Sequence, residues 1–248
     1  MTFRLAMMLI SLHLICAGCC LGAPSAVVEL FPEYEARINW SVGVVKAVGR
    51  AAVPGDIENP DQAREIAREQ AVIAARRNLL SALSLLHVTD SLTVNARMIS
   101  SESAWSGVEA LARNAGVISS KQIYDRSYEV IVQVGIYGEG GLASALFGVP
   151  TDEMPVLIID VQTDEFVPSM LPVILDTHQQ AISPRIPDGS DVIQPAMRVY
   201  YGDTRLDTKQ VKHTVLRVKA LKLTPMGDII LGKRDAAMLR ALLKKHDG

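Results

Sequence analysis

The chain has 248 residues, 49% of them hydrophobic and 21% charged, with a formal net charge of −2. That length bounds one or two domains, and that balance suits a packed core and excludes a disordered chain. Near-neutral charge, four Phe and two Trp exclude a nucleic-acid surface built on massed cations or stacked rings.

The first elements concern address rather than fold. Arg4 gives a one-charge start, and residues 5–15 (LAMMLISLHLI) form an apolar run of signal-peptide length, too short to span a bilayer permanently. Ala17-Gly18-Cys19 then matches the pattern after which the lipoprotein pathway attaches diacylglycerol to the cysteine thiol. Residues 1–22 are therefore expected to be a signal peptide of lipoprotein type, with lipidation at Cys19. Ordinary secretion with cleavage after Ala23 is the alternative. All three cysteines, Cys16, Cys19 and Cys20, sit in this segment. The chain beyond them can hold no disulfide, thiol nucleophile or cysteine-ligated metal.

Residues 23–35 read as a tether. Ile38, Trp40, Val42 and Val44 alternate, and the pattern slips near Gly43 or Val45, which predicts one strand with a bulge. Pro54-Gly55 marks a turn. A long amphipathic helix is expected over residues 59–87, with Asn59 as N-cap and Pro60 in the first turn. Ile66, Ile73 and Leu80 recur every seven residues, flanked by Ala63, Ala67, Ala71 and Ala74. Val72, Leu79, Leu83 and Leu86 widen the stripe. Ile73 and Leu80 are both expected to be buried against a sheet. At ~1.5 Å per residue the helix spans about 40 Å.

Leu92, Val94, Ala96 and Met98 alternate as a second strand. Ser101 or Ser103 can cap a short helix through Trp105, Val108, Leu111 and Ala112, stopped by Gly116. Residues 117–124 and 127–137 predict a hairpin, whose second arm alternates Tyr128, Val130, Val132, Val134 and Ile136. Gly138-Glu139-Gly140-Gly141 lacks phosphate-loop spacing and reads as a turn. Beyond Pro155, VLIIDV suits a buried strand. Five prolines from Pro168 to Pro195 then make regular structure sparse over residues 164–194. Strands are expected over 197–201, 215–223 and 228–231, and a closing helix over 233–245 with Ala236, Ala237, Leu239, Leu242 and Leu243 apolar.

The fold class expected is α+β. An antiparallel sheet over residues 36–148 is covered by the long Ala-rich helix and a short one. A smaller strand-rich region with a terminal helix follows over 149–248.

AREIAREQAVIAARRNLL, followed by a Val-rich strand and SYEVIVQVGIYGEGGLASAL, resembles the LPP-twenty family of envelope lipoproteins and is similar to the amino-terminal domain of flagellar assembly protein T. Arg77, Asn78, Leu79 and Leu80 match an Arg-Asn-Leu-Leu element, and Val130, Val132, Val134 and Gly138 match the strand that follows it. VLIIDVQTDEFVPSMLPVILD resembles a downstream segment of longer bacterial members, although Val161-Gln162-Thr163 stands where that segment carries Ala-Arg-Gly. The resemblance implies a periplasm-facing outer-membrane lipoprotein. Its role would be structural assembly, in a flagellar ring or another outer-membrane complex.

Chemistry-bearing residues do not gather into a motif. Asp160, Asp164 and Glu165 are a carboxylate group that reads more simply as a strand-end turn. His87, His178, His213 and His246 lack ligand spacing, and no GxSxG elbow frames a serine, so Ser103 with His87 makes a poor triad. The expectation is a protein that is not an enzyme, with no cofactor and no metal. Its partners are envelope or flagellar-ring proteins or copies of itself, reached through the hairpin edge or residues 164–195. Gln133 on the hairpin's outward face, with Arg76 and Arg77, are the candidate partner-binding residues. The alternative is a periplasmic binding module for a small ligand or peptidoglycan.

Overall fold

The structure is a computed structural model and describes residues 26–123, 126–162, 166–183, 195–202 and 214–246. The signal peptide with Cys19, the cleavage position after Ala23, and Asp164, Glu165 and His213 lie outside the described residues.

Chain order begins inside the expected tether, where β1 (Val28–Phe31) pairs antiparallel with β2 (Ala36–Asn39) around a single 3-10 turn at Pro32–Tyr34. The stretch expected as one bulged strand is two. β2 ends at Asn39, and Asn39 Oδ1 accepts from the Ser41 backbone N–H at 3.1 Å. Gly43 turns with φ of 65°, and β3 (Val44–Ala52) returns antiparallel to β2.

The long helix is α1 (Pro60–Leu85), and Asn59 caps it by accepting from the backbone N–H groups of Asp61 and Gln62. Its buried stripe corrects the sequence reading. The residues against the sheet are Ala63, Ala67, Ala71, Ala75, Leu79 and Leu83, spaced by four, whereas Ile73 is 50% exposed and Leu80 only half-buried. The cause is Gly49 in β3: a Cβ there would lie 2.1 Å from the Ala75 backbone nitrogen and 2.3 Å from the Ala71 carbonyl oxygen. Helix and strand backbones meet at that point. Only small residues fit the ridge, so the large isoleucine is turned outward.

Residues 92–98, expected as a strand, form α2 (Val94–Ser100) instead. Thr93 caps it through Oγ1 to the Ala96 backbone N–H, and Val94 and Met98 are buried one turn apart. Alternation at 94, 96 and 98 and helical i, i+4 spacing share those two positions, and the cap decides between them. Ser101 caps α3 (Glu102–Arg113), which buries Ala104, Val108 and Ala112 but leaves Trp105 half-exposed. β4 (Gly116–Ile123) and β5 (Ser127–Gly135) form the expected hairpin.

The first sheet has the order β1-β2-β3-β5-β4 and is antiparallel throughout. β5 is therefore an interior strand, held along its whole length by β3, and the edge strands of the sheet are β1 and β4. α1 covers the face that carries Ala47, Gly49, Val130 and Val132.

After α4 (Leu142–Phe147), the C-terminal half contributes β6 (Val156–Asp160), β7 (Ile174–Leu175), β8 (Arg198–Tyr201), β9 (Val215–Leu223), β10 (Ile229–Leu231) and α5 (Lys233–His246). Their sheet runs β7-β10-β9-β6-β8 and is mixed: β6 lies parallel between β8 and β9, which accounts for its unbroken apolar run. α5 buries Ala236, Leu239, Leu242 and Leu243 but exposes Ala237.

The two sheets share one apolar core. Trp40 meets Tyr201 edge-to-face at 6.0 Å, and Tyr137 meets Tyr200 at 5.4 Å. Ser41 Oγ donates to the Tyr201 carbonyl at 2.5 Å, Tyr137 OH to the Met170 carbonyl at 3.0 Å and Tyr201 OH to the Ser169 carbonyl at 2.7 Å. Burial pushes both Tyr137 and Tyr201 well above the usual tyrosine range, so these phenols remain neutral donors.

The backbone contact at Gly49 predicts an asymmetry between a strand glycine and a helix isoleucine. Gly49→Val should cost upwards of about 3 kcal/mol through overpacking, whereas Ile73→Ala, on the half-exposed face, should cost less than about 1 kcal/mol. Urea unfolding checks both, and equal costs would mean that the helix face is wrongly assigned.

A pH test comes from the C-terminal half. Arg240 Nη2 donates to Asp176 Oδ2 at 2.5 Å, the backbone N–H groups of Gln180 and His178 reach Oδ1, and the carboxyl is held down at about 2. A depressed carboxylate stabilises the fold above its unfolded pKa of about 4, and that contribution fades as pH falls toward 2. Asp176→Asn should therefore lower Tm at pH 7, and the gap from wild type should shrink between pH 4 and pH 2. A gap that stays constant across that range contradicts the assignment.

Candidate partner-binding surface

The register of the first sheet defines its outer face row by row. Val28, Asn39, Val44 and Gly135 form one row, and Leu30, Arg37, Lys46 and Gln133 the next. Val48, Ile131 and Ser119 follow, then Arg50, Glu129 and Lys121. The last row, with Glu35, is a ladder of ion pairs. Arg50 reaches Glu35 at 2.5 Å and Glu129 at 2.8 Å, and Lys121 reaches Glu129 at 2.8 Å. Hydrogen bonding to Glu129 raises the Arg50 pKa, and bonds from Lys121 and then Arg50 lower that of Glu129. These groups are partly solvated, so the ladder fixes side-chain positions more than it adds stability.

The second row, with Arg37 and Lys46, has the opposite character. Arg37 and Lys46 stand directly across from each other, and no carboxylate shares their row. Like charges so placed disfavour the sheet, and a bound partner can offset this with anionic or hydrogen-bond-accepting groups. Gln133 closes that row and lines a groove of 620 Å³ between α3, α4 and the end of β5, with Gly107, Asn114, Gly135 and Ser144 also on its wall.

β4 is the most open element. Its burial is low on both faces, and Val117 and Ile118 are 43% and 49% exposed. Val117 pairs with Val132 and Ser119 with Ile131, so Ile118 is an extra residue in the ladder, a bulge at an edge. Two adjacent apolar residues in VISS break strict alternation, the one sequence signal that marks this bulge.

The three candidate residues named from sequence do not converge. Gln133 faces outward from the sheet, on the side opposite α1. Arg76 turns into the fold, with Nη2 donating to the Ala115 carbonyl at 3.3 Å. Arg77 is exposed on the solvent side of α1. Asn78, next in line, donates from Nδ2 to the Val48 carbonyl at 2.8 Å, while Val48 N–H donates to the Glu35 carbonyl. β2 pairing runs out at Ala47, and Asn78 satisfies the next carbonyl of β3. The Arg-Asn-Leu-Leu element is thus a packing and hydrogen-bonding device.

Other sequence candidates are scattered. His178 is exposed, and its backbone N–H bonds Asp176. Ser103 is exposed in the first turn of α3, its hydroxyl 3.0 Å from that of Ser101. Asp160 lines a cavity with Arg217, Lys219 and Asp235, and Asp235 Oδ2 already accepts from the Lys219 backbone N–H. Among the described residues no three His, Cys, Asp or Glu stand close enough to hold a metal ion, and no helix is long and apolar enough to cross a membrane. Comparison with protein-family models and with curated proteins finds no match for this chain.

Proposed function

We propose that this chain is a non-enzymatic component of a bacterial cell-envelope assembly, exported, tethered to the outer membrane through lipid at Cys19, and joined to further copies of itself by strand addition at β4. The single observation that carries the reading is the open β4 edge, where Val117 and Ile118 are exposed on a strand that pairs with β5 on its other side. An edge of this kind is a template for another strand unless something covers it. A second copy suits it electrostatically. Antiparallel pairing about the midpoint of Ser119 and Ser120 sets Lys121 opposite Ile118, so no like charges meet. The lipoprotein-type N-terminus and the resemblance to envelope lipoproteins of flagellar assembly support the address. They also name the alternative occupant of the edge, a flagellar-ring component.

Anchoring is tested at the thiol. Cys19→Ala should move the protein from the membrane fraction to the soluble envelope fraction, and mass spectrometry of the wild type should find a diacylated Cys19 at the mature N-terminus. An unmodified N-terminus at Pro24 with unchanged fractionation would rule the anchor out.

Assembly is tested at the edge. Ile118→Lys places a charge on the bulge without touching the core, so the unfolding midpoint should stay within about 0.5 kcal/mol of wild type, while oligomers seen by size exclusion and crosslinking disappear. Capture of a flagellar-ring protein in place of self-association would reassign the partner. A body that stays monomeric at high concentration, captures no envelope protein and turns over a substrate sinks the proposal.

A further inference from the structure

Pairing at the β4 edge leaves the cation row on the outward face of the first sheet without a role. Arg37 of β2 and Lys46 of β3 are register partners, so their Cβ atoms stand roughly 5 Å apart on one face. Arg37 is exposed and Lys46 partly so, and among the described residues neither makes an ion pair. Carboxylates at neighbouring positions are engaged elsewhere or stand off the row. Glu29 accepts from the Trp40 indole N–H at 3.1 Å, Glu35 and Glu129 hold Arg50, and Glu33 lies in the 3-10 turn. Two facing cations without a counter-charge disfavour the free sheet, and an anionic surface laid across both removes that cost.

Around the pair the same face is apolar. Leu30, the register partner of Arg37, is 66% exposed, and Val28, two residues earlier on β1, is 44% exposed. Val44 and Val48 flank Lys46 along β3, and α1 packs on the opposite face. The path of the chain places this corner beside the N-terminal cysteine. Ala26 bridges Gly202, the Val27 N–H donates to Ser41 Oγ at 2.9 Å, and the Val27 carbonyl accepts from the Trp40 N–H at 2.9 Å. The fold thus grips the chain from Ala26 on, only seven residues after Cys19. Seven residues reach at most about 25 Å when fully extended. Lipid on Cys19 would hold β1 within that distance of a bilayer.

We propose that the outward face of β1, β2 and β3 is a membrane-contact surface that rests on anionic phospholipid headgroups. The inference rests on the lipid anchor at Cys19 in the proposed function. The Arg37 guanidinium presents a planar fork of donors suited to a lipid phosphate, and the Lys46 ammonium adds a point charge beside it. Val28 and Leu30 enter the boundary between headgroups and acyl chains, where exposed apolar side chains lose contact with water. A glycan surface such as peptidoglycan fits less well, because no aromatic ring stands among these residues to stack on a sugar. The β4 edge, at the far side of the sheet, stays clear of the lipid.

The test uses the chain from Pro24 on, which keeps every described element and carries no lipid, so that binding reports the protein face alone. It is cosedimented with vesicles of phosphatidylglycerol and phosphatidylethanolamine, and separately with vesicles of phosphatidylcholine. Saturable binding to the anionic vesicles is expected, falling as salt rises, with binding to phosphatidylcholine at least tenfold weaker. Arg37→Gln combined with Lys46→Gln should weaken anionic binding at least tenfold, since each cation near an anionic surface contributes about fivefold. The double variant also removes a like-charge pair, so its unfolding midpoint should not fall. Leu30→Ser should weaken binding as well, and Arg64→Gln, on α1 behind the sheet, should leave it unchanged. If Leu30→Ser loosens β1, the lipid comparison and the double variant decide the matter between them. The mass of the mature N-terminus scores the anchor separately, so the anchor and this face fail independently. No saturable binding to anionic vesicles, equal binding to phosphatidylcholine, undiminished binding by the double variant, or retention by peptidoglycan sacculi in preference to vesicles would each overturn the inference.

Discussion

The contact between Gly49 of β3 and the Ala71–Ala75 turn of α1 sets the geometry of everything around it. With a Cβ position only 2.1 Å from a helix backbone nitrogen, the strand and helix main chains touch. A helix so close can present only alanine near that point, and the buried ridge Ala63, Ala67, Ala71 and Ala75 supplies it before giving way to Leu79 and Leu83. The larger residues fill the space that opens as helix and sheet diverge. The same closeness brings Asn78 within 2.8 Å of the Val48 carbonyl, so the strand's unpaired carbonyl is satisfied from the helix. Sheet order follows, because β3, pinned under α1, pairs with β2 on one side and β5 on the other.

The second half depends on the first through a narrow set of contacts. Trp40 and Ser41, in the turn between β2 and β3, pack and bond against Tyr201, and a Cβ at Gly43 would strike the Tyr200 ring at 2.8 Å. Tyr201 in turn bonds Ser169, which ties the Pro-punctuated stretch to the parallel strands. The open β4 edge lies across the first sheet from β1.

Much of the local punctuation was legible in the residues, because it is chemistry between near neighbours. Asn59 and Pro60 start α1, Ser101 starts α3, and the limits of β9 and the β4–β5 hairpin follow from alternation and turn residues. What was not legible depends on residues far away in sequence. Ile73 outranks Ala75 on any hydrophobicity scale, and only Gly49, 26 positions from Ala75, decides against it. Val94 and Met98 suit strand and helix alike until Thr93 caps the helix. The apolar alternation of β5 was read as an available edge, but nothing in that strand reveals that β3 lies beside it. The partner-binding residues suffered most. Arg76 was read as a surface recognition group and bonds the Ala115 carbonyl of the α3–β4 connection, while Asn78 two positions on bonds the Val48 carbonyl of β3.

The central claim is that β4 is free in the isolated body and taken up in the assembly. Hydrogen–deuterium exchange followed by mass spectrometry, on dilute monomer and on the assembled envelope fraction, measures this directly. The account predicts that amides of Gly116–Ile123 exchange quickly in the monomer, while those of Val44–Ala52 and Ser127–Gly135 are protected in both states. On assembly, protection should appear at Gly116–Ile123. New protection confined to α1 or to the C-terminal sheet, with β4 unchanged, would contradict it.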